Sequence, residues 1–127
     1  MKTITTINPA TEETLTTYDS MSEDTACATV AACHAAFLQW RTTTHEERAT
    51  YLRDIARALR KHVDARAALM TSETGKLLRD GIAEVELCAQ LFEYAAEHGP
   101  VQLADEPRTH SGGRKTGVVA YCPIGVI

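Results

Sequence analysis

Thr44 stands three residues ahead of Glu47, and behind this pair the apolar side chains fall mainly on one helical face. Ala49, Leu52, Ile55, Ala56, Leu59 and Val63 recur at three- and four-residue steps, while Arg48, Arg53, Asp54, Arg57, Arg60 and Lys61 form a solvated face. The Thr-x-x-Glu spacing is that of a capping box, in which each side chain satisfies a backbone N–H that the first helical turn leaves unpaired. A segment with this period cannot bury one face as a strand, where the repeat is two. The middle of the chain is therefore committed to helix.

The same reasoning extends to both sides. Ser20 with Glu23 predicts a helix over 21–41, with Val30, Ala31, His34, Phe37, Leu38 and Arg41 on one face. His34 reads as a partnered core or boundary histidine, and Trp40 as the anchor of this helix against the next. The central helix is expected over 44–62. Asp64 restarts a helix that runs to Thr74, where Gly75 and Lys76 signal its end. A fourth helix is expected over 80–98, with Ile82, Val85, Ala89, Phe92 and Ala96 inward and Gly99-Pro100 as its stop. Leu59 and Phe92 should both be largely buried.

The two ends read differently. Residues Ile4 to Tyr18 are two Thr-rich, β-prone arms about Asn8-Pro9; Pro9 pushes Asn8 away from helical geometry, which favours a hairpin. At the other end, Gly117 to Ile127 is the most strand-like and apolar run of the sequence, through Val118, Val119, Tyr121, Ile124, Val126 and Ile127. It begins near Arg114, after a polar connection through Asp105, Glu106, Pro107 and a Gly112-Gly113 turn. The run stops without a turn or polar tail, and its simplest reading is a truncated chain.

Composition narrows the function classes. Among 127 residues, 13 Lys and Arg face 17 Asp and Glu, a net charge of -4 with no basic stripe, which argues against nucleic acid as a partner. No window approaches the length of a membrane span, and the N-terminus lacks a signal-peptide core, so no membrane partner and a cytoplasmic location are expected. Cys27, Cys33, Cys88 and Cys122 contain no C-x-x-C and read as buried structural thiols. Cys33-His34 with Cys27, His62 and Cys88 matches no zinc spacing, so no metal site is assigned. Gly75-Lys76 and Gly112-Gly113 are turn and helix-stop residues without a phosphate-cradling pattern.

Taken in order, several landmarks resemble the N-terminal part of the aldehyde dehydrogenase superfamily. They are Ile7-Asn8-Pro9-Ala10-Thr11, Trp40-Arg41 ahead of Glu47-Arg48, Leu52 to Leu59, Glu73-Thr74-Gly75-Lys76, Ala83-Glu84-Val85-Glu86, Tyr94 to Pro100, and Pro123-Ile124-Gly125-Val126-Ile127. The resemblance spans nearly the whole chain. The stretches Tyr94 to Pro100 and Leu103 to Pro107 look most like succinate-semialdehyde dehydrogenases.

The resemblance implies an α/β fold, mostly helical here with β segments at both ends. It implies a hairpin arm over 1–20, helices of the cofactor-binding domain over 21–99, and over 100–127 a bridging strand that leads into the first strand of the dinucleotide fold. It also implies oxidation of a small aldehyde, succinate semialdehyde, with NAD or NADP, through a cysteine thiohemiacetal, in a homo-oligomer when full length. In the family the nucleophilic cysteine, the general-base glutamate, the oxyanion asparagine and the ribose-binding residues lie beyond the point matched by Ile127. No catalytic and no cofactor-binding residue is therefore assigned here. Glu86 and Gln90, four apart on one helical face, are candidates for the wall of the substrate tunnel, against a reading as ordinary solvated polars. Two other classes remain: an inactive truncated paralogue, and a helical interaction module whose terminal β arm adds to a partner's sheet.

Overall fold

A computed structural model describes residues 2–109, 112–113 and 116–127. Among these residues two strands, four helices and two further strands follow one another: β1 (Thr3–Ile7), β2 (Thr14–Asp19), α1 (Glu23–Trp40), α2 (His45–Lys61), α3 (Val63–Thr74), α4 (Leu78–Gln102), β3 (Glu106–Thr109) and β4 (Thr116–Val119). The expected mostly helical chain with strands at both ends is what forms.

The first two strands pair antiparallel from Thr3 opposite Asp19 to Ile7 opposite Thr14. Asn8 organises the turn between them. Its N–H donates to the Glu13 carbonyl at 2.9 Å, its carbonyl accepts from Glu12 at 2.8 Å, and its Oδ1 accepts from the Ala10 N–H at 2.9 Å. This use of an Asn side chain to mimic a backbone turn is why the residue suits the position.

Three helices form the body. Thr44 caps α2 with both halves of the capping box present. Gly75 closes α3 in the left-handed region at φ 73°, its N–H donating to the Thr71 carbonyl at 3.0 Å. The core lies where α2 and α3 meet α4. It consists of Ala49 and Ala56 on α2, Ala67 on α3, and Gly81, Val85, Ala89 and Ala96 on α4. Small residues dominate because the backbones approach closely: a Cβ on Gly81 would sit 3.2 Å from the Ala67 carbonyl oxygen and 3.3 Å from the Ala67 Cβ. Leu59 and Phe92, expected to be largely buried, are only half-buried at the margins of this thin core.

Several boundaries differ from expectation, each for a local reason. The cap of α1 is Ser22, whose side chain accepts the Thr25 N–H, while the Ser20 N–H donates to the Lys2 carbonyl and so closes the hairpin. Helix α4 runs through Gly99-Pro100 to Gln102, with the Leu103 N–H donating to the Gly99 carbonyl. Pro100 removes one N–H from the ladder, yet its fixed φ is helical, so one more turn closes beyond it. Helix α1 buries no residue, and His34, expected in a core or at its boundary, is exposed. Trp40 does meet the next helix: its ring lies 5.3 Å from that of Tyr51.

The terminal run is strand only over Thr116–Val119, and residues 120–127 are irregular. Its partner β3 is four residues long, pairing Glu106 with Val119 through Thr109 with Thr116. Pro123 offers no N–H and Gly125 sits at φ 117°, so the ladder has neither donor nor regular backbone to continue. A Cβ built on Gly125 would lie 3.7 Å from Phe37 Cε1, which places the end of the run over α1. The expected strand start near Arg114 falls outside the described residues.

Candidate functional site

Glu86 and Gln90 both project from α4, one turn apart. Their neighbour across the helix boundary is Arg60, in the last turn of α2. Arg60 Nε donates to both oxygens of Glu86 at 3.0 Å, and Nη2 donates to Glu86 Oε1 at 2.8 Å. The other edge of the guanidinium reaches Glu93, with Nη2 at 2.8 Å from Oε2 and Nη1 paired to Oε1. Gln90 completes the group, its Nε2 donating to Glu86 Oε1 at 3.4 Å.

The planar guanidinium explains this arrangement. Its donors leave in a fixed fork, so one arginine can serve a carboxylate on each side, which a lysine ammonium cannot do with the same geometry. The hydrogen bonds from Arg60 hold the Glu86 carboxyl below its ordinary value of 4.5, aided by Gln90 and opposed by desolvation. Arg60 does the same to Glu93, and the two carboxylates in turn raise the guanidinium. A carboxylate so held is an acceptor committed to its arginine rather than a proton carrier near neutrality. The cluster braces α2 against α4.

The sequence pattern brought out Glu86 and Gln90 but not Arg60 or Glu93. Arg60 was read as part of a solvated charge run. The available signal was the spacing of Glu86, Gln90 and Glu93 at i, i+4 and i+7, a polar line on one side of α4 that calls for a cation on the neighbouring helix.

The four cysteines, read as buried thiols, are all exposed. Cys27 and Cys33 lie on α1, which buries nothing; Cys88 lines an open hollow with Leu59 of α2 and Leu69 and Met70 of α3, and Cys122 lies in the irregular terminal run. Among the described residues no group of three or more His, Cys, Asp or Glu side chains is placed to hold a metal ion.

Gly75, Gly81 and Lys76, near the helix ends, are engaged within the chain. The positive-φ Gly75 is used as a helix cap, with Pro9 Cγ 3.2 Å from where its Cβ would stand. The crowded Gly81 is filled by Ala67. The start of α4 has no side-chain cap, and the nearby Lys76 is paired with Glu84. Among the described residues no helix is long and apolar enough to cross a membrane.

Comparison with known proteins supplies what the geometry alone does not. The aldehyde dehydrogenase family matches residues 1–127. The NADP(+) succinate-semialdehyde dehydrogenase 1 of Mycobacterium tuberculosis is 40% identical over 98% of this chain, which spans 27% of that protein. Among solved structures, the succinic semialdehyde dehydrogenase of Streptococcus pyogenes, in complex with NADP+, superposes with a TM-score of 0.78 at 33% identity. That match covers 84% of this chain and 24% of the other. A betaine aldehyde dehydrogenase of Staphylococcus aureus, in complex with NAD+, gives 0.80 at 28% identity over 87% of this chain and 23% of its own. The chain thus spans about a quarter of the length of the proteins it matches.

Proposed function

Because these 127 residues belong to the aldehyde dehydrogenase family, we propose that they are the N-terminal portion of an NAD(P)-dependent enzyme that oxidises succinate semialdehyde to the dicarboxylate. The observation that carries the substrate class is the 40% identity, over 98% of the chain, to a succinate-semialdehyde dehydrogenase that uses NADP(+). The location is cytoplasmic and the full-length protein a homo-oligomer.

The division of labour follows from the chemistry. Aldehyde oxidation of this kind needs a thiolate to attack the carbonyl, donors for the resulting oxyanion and a base to activate water. A nicotinamide cofactor supplies the hydride acceptor. These groups belong to other parts of the protein. The present residues contribute a hairpin arm over 1–20, helices of the cofactor-binding domain over 21–99, and a bridging segment over 100–127 leading into the dinucleotide fold. Glu86 and Gln90 belong to the substrate-tunnel wall. With both Glu86 oxygens taken by Arg60, it is the Gln90 amide that is offered to substrate.

The test is a chimera in which these residues replace the corresponding region of the Mycobacterium tuberculosis relative. The expected result is reduction of NADP by succinate semialdehyde, with Gln90→Ala raising KM more than it lowers kcat. A folded chimera that binds NADP but does not turn over would contradict the proposal.

A further inference from the structure

Two hollows lie between α2 and the last turns of α4. One is lined by charges of both signs, Glu46, Arg53, Arg57, Glu93 and Glu97. The other, of about 370 Å³, is walled mainly by apolar groups, among them Ala49, Leu52, Pro100 and Leu103. Its cationic side chains are Arg48 and, when protonated, His45, and no carboxylate lines it.

Arg48 stands apart from the other arginines of α2. Arg53, Arg57 and Arg60 are each paired with a carboxylate. Arg48 Nη2 donates to the Thr43 carbonyl at 2.9 Å, its Nε is buried without a partner, and among the described residues its Nη1 makes no hydrogen bond and no carboxylate pairs with it. The acidic residues nearest in sequence are committed elsewhere, Glu46 to Arg53 and Glu47 to the capping box with Thr44. A cation partly withdrawn from water without a counter-charge is unfavourable, and a buried donor left open calls for compensation. Because the guanidinium charge is delocalised, an anion on the Nη edge compensates the charge that the buried Nε cannot share with water.

We propose that this hollow binds a short aliphatic monocarboxylate, its carboxylate on the Nη edge of Arg48 beside His45 and its tail against Leu52, Pro100 and Leu103. The ligand class follows from the lining. One cationic end selects an anion and pairs with a carboxylate in the fork geometry of the guanidinium, and the apolar remainder takes a hydrocarbon tail and leaves a second charge unpaired. None of the residues of the Arg60 group lines this hollow, so the site is distinct from Glu86 and Gln90 and does not depend on the function proposed above.

The probe is butyrate, titrated into the isotope-labelled chain and followed through the Arg48 Nε–H resonance and the backbone amides of His45, Leu52 and Leu103. Saturable shifts are expected at these groups, with butylamine at the same ionic strength leaving them unmoved. Arg48→Gln should weaken binding at least about tenfold, the loss expected of one charge-assisted pair, while helical circular dichroism is retained. Leu103→Asp, at a position 41% exposed, should abolish binding by setting a carboxylate against the ligand, and it decides the matter if Arg48→Gln fails to fold. Arg57→Gln, which removes an arginine already paired with Asp54, should leave binding unchanged. Shifts that do not saturate, that sodium chloride reproduces, or that survive in a folded Arg48→Gln or Leu103→Asp chain overturn the proposal. In the chimera described above, butyrate should raise Tm in the parent and not in Leu103→Asp. A parent chimera that does not respond to butyrate overturns the site as well, because the hollow is then filled by other parts of the protein.

Discussion

Arg60 grips Glu86 side-on, its Nε equidistant at 3.0 Å from the two carboxylate oxygens, and in doing so joins the last turn of α2 to the middle of α4. The same guanidinium extends to Glu93 two turns on. The sign of the pH effect follows from the two carboxyls. Both are held below their ordinary value of 4.5 by hydrogen bonds from Arg60, so their contribution is complete above about 4.5 and is lost as pH falls through the depressed values. Thermal melts from neutral pH down to pH ~3 should show an acid-side fall in Tm for the parent. In Glu86→Gln with Glu93→Gln that fall should be shallower, from a lower starting Tm. Added salt should narrow the difference, because the group is partly exposed.

The start of α1 is decided by which serine caps it. Ser22 accepts the Thr25 N–H, whereas the Ser20 main chain serves the hairpin. Ser22→Ala should therefore cost about 1 kcal/mol of helix stability and raise amide exchange in the first turn of α1. Ser20→Ala should be close to neutral. Equal losses would assign the cap wrongly.

Gly81 is held by its neighbour on α3 rather than by its own backbone. Replacing a helical glycine with alanine ordinarily stabilises by roughly 0.5–1 kcal/mol. Here the new methyl would meet the Ala67 main chain at 3.2–3.3 Å, and overpacking of that kind costs about 1–3 kcal/mol. Gly81→Ala should thus lower the denaturation midpoint, and Gly81→Ala with Ala67→Gly should recover part of the loss. Gly99, with nothing within 4 Å of an added Cβ, is the control: Gly99→Ala should be neutral or stabilising.

Local chemistry was legible wherever one residue type has one mechanical use. Thr44 with Glu47, the Asn8 turn and the Gly75 cap were all readable because each satisfies backbone groups within a few residues. The stripes of α2 and the inner face of α4 were readable from their period. What was not legible depends on partners distant in sequence. Ile55 and Leu59 lie on the right face of α2, but Ile55 remains exposed and Leu59 half-buried because only α4 covers that face. Cys27 and Cys33 look like core residues by type, and are surface residues because α1 buries none of its side chains. The terminal run has strand composition through Ile127, but a strand needs a partner, and β3 offers four residues. Within the candidate site, Glu86 and Gln90 stood out on α4, whereas the arginine that determines their behaviour comes from a helix boundary 26 residues upstream.

We propose that these residues supply scaffold to an aldehyde dehydrogenase whose reacting groups lie in other parts of the protein. The most direct measurement is cofactor reduction by the purified 127-residue chain with succinate semialdehyde and NAD or NADP. The parent and the Cys27→Ser, Cys33→Ser, Cys88→Ser and Cys122→Ser variants are compared with a heat-inactivated control. The account predicts that all five match the control, since the proposed nucleophile is none of these four exposed thiols. Turnover by the parent that disappears in any one of the four variants would contradict it and identify that cysteine as the nucleophile.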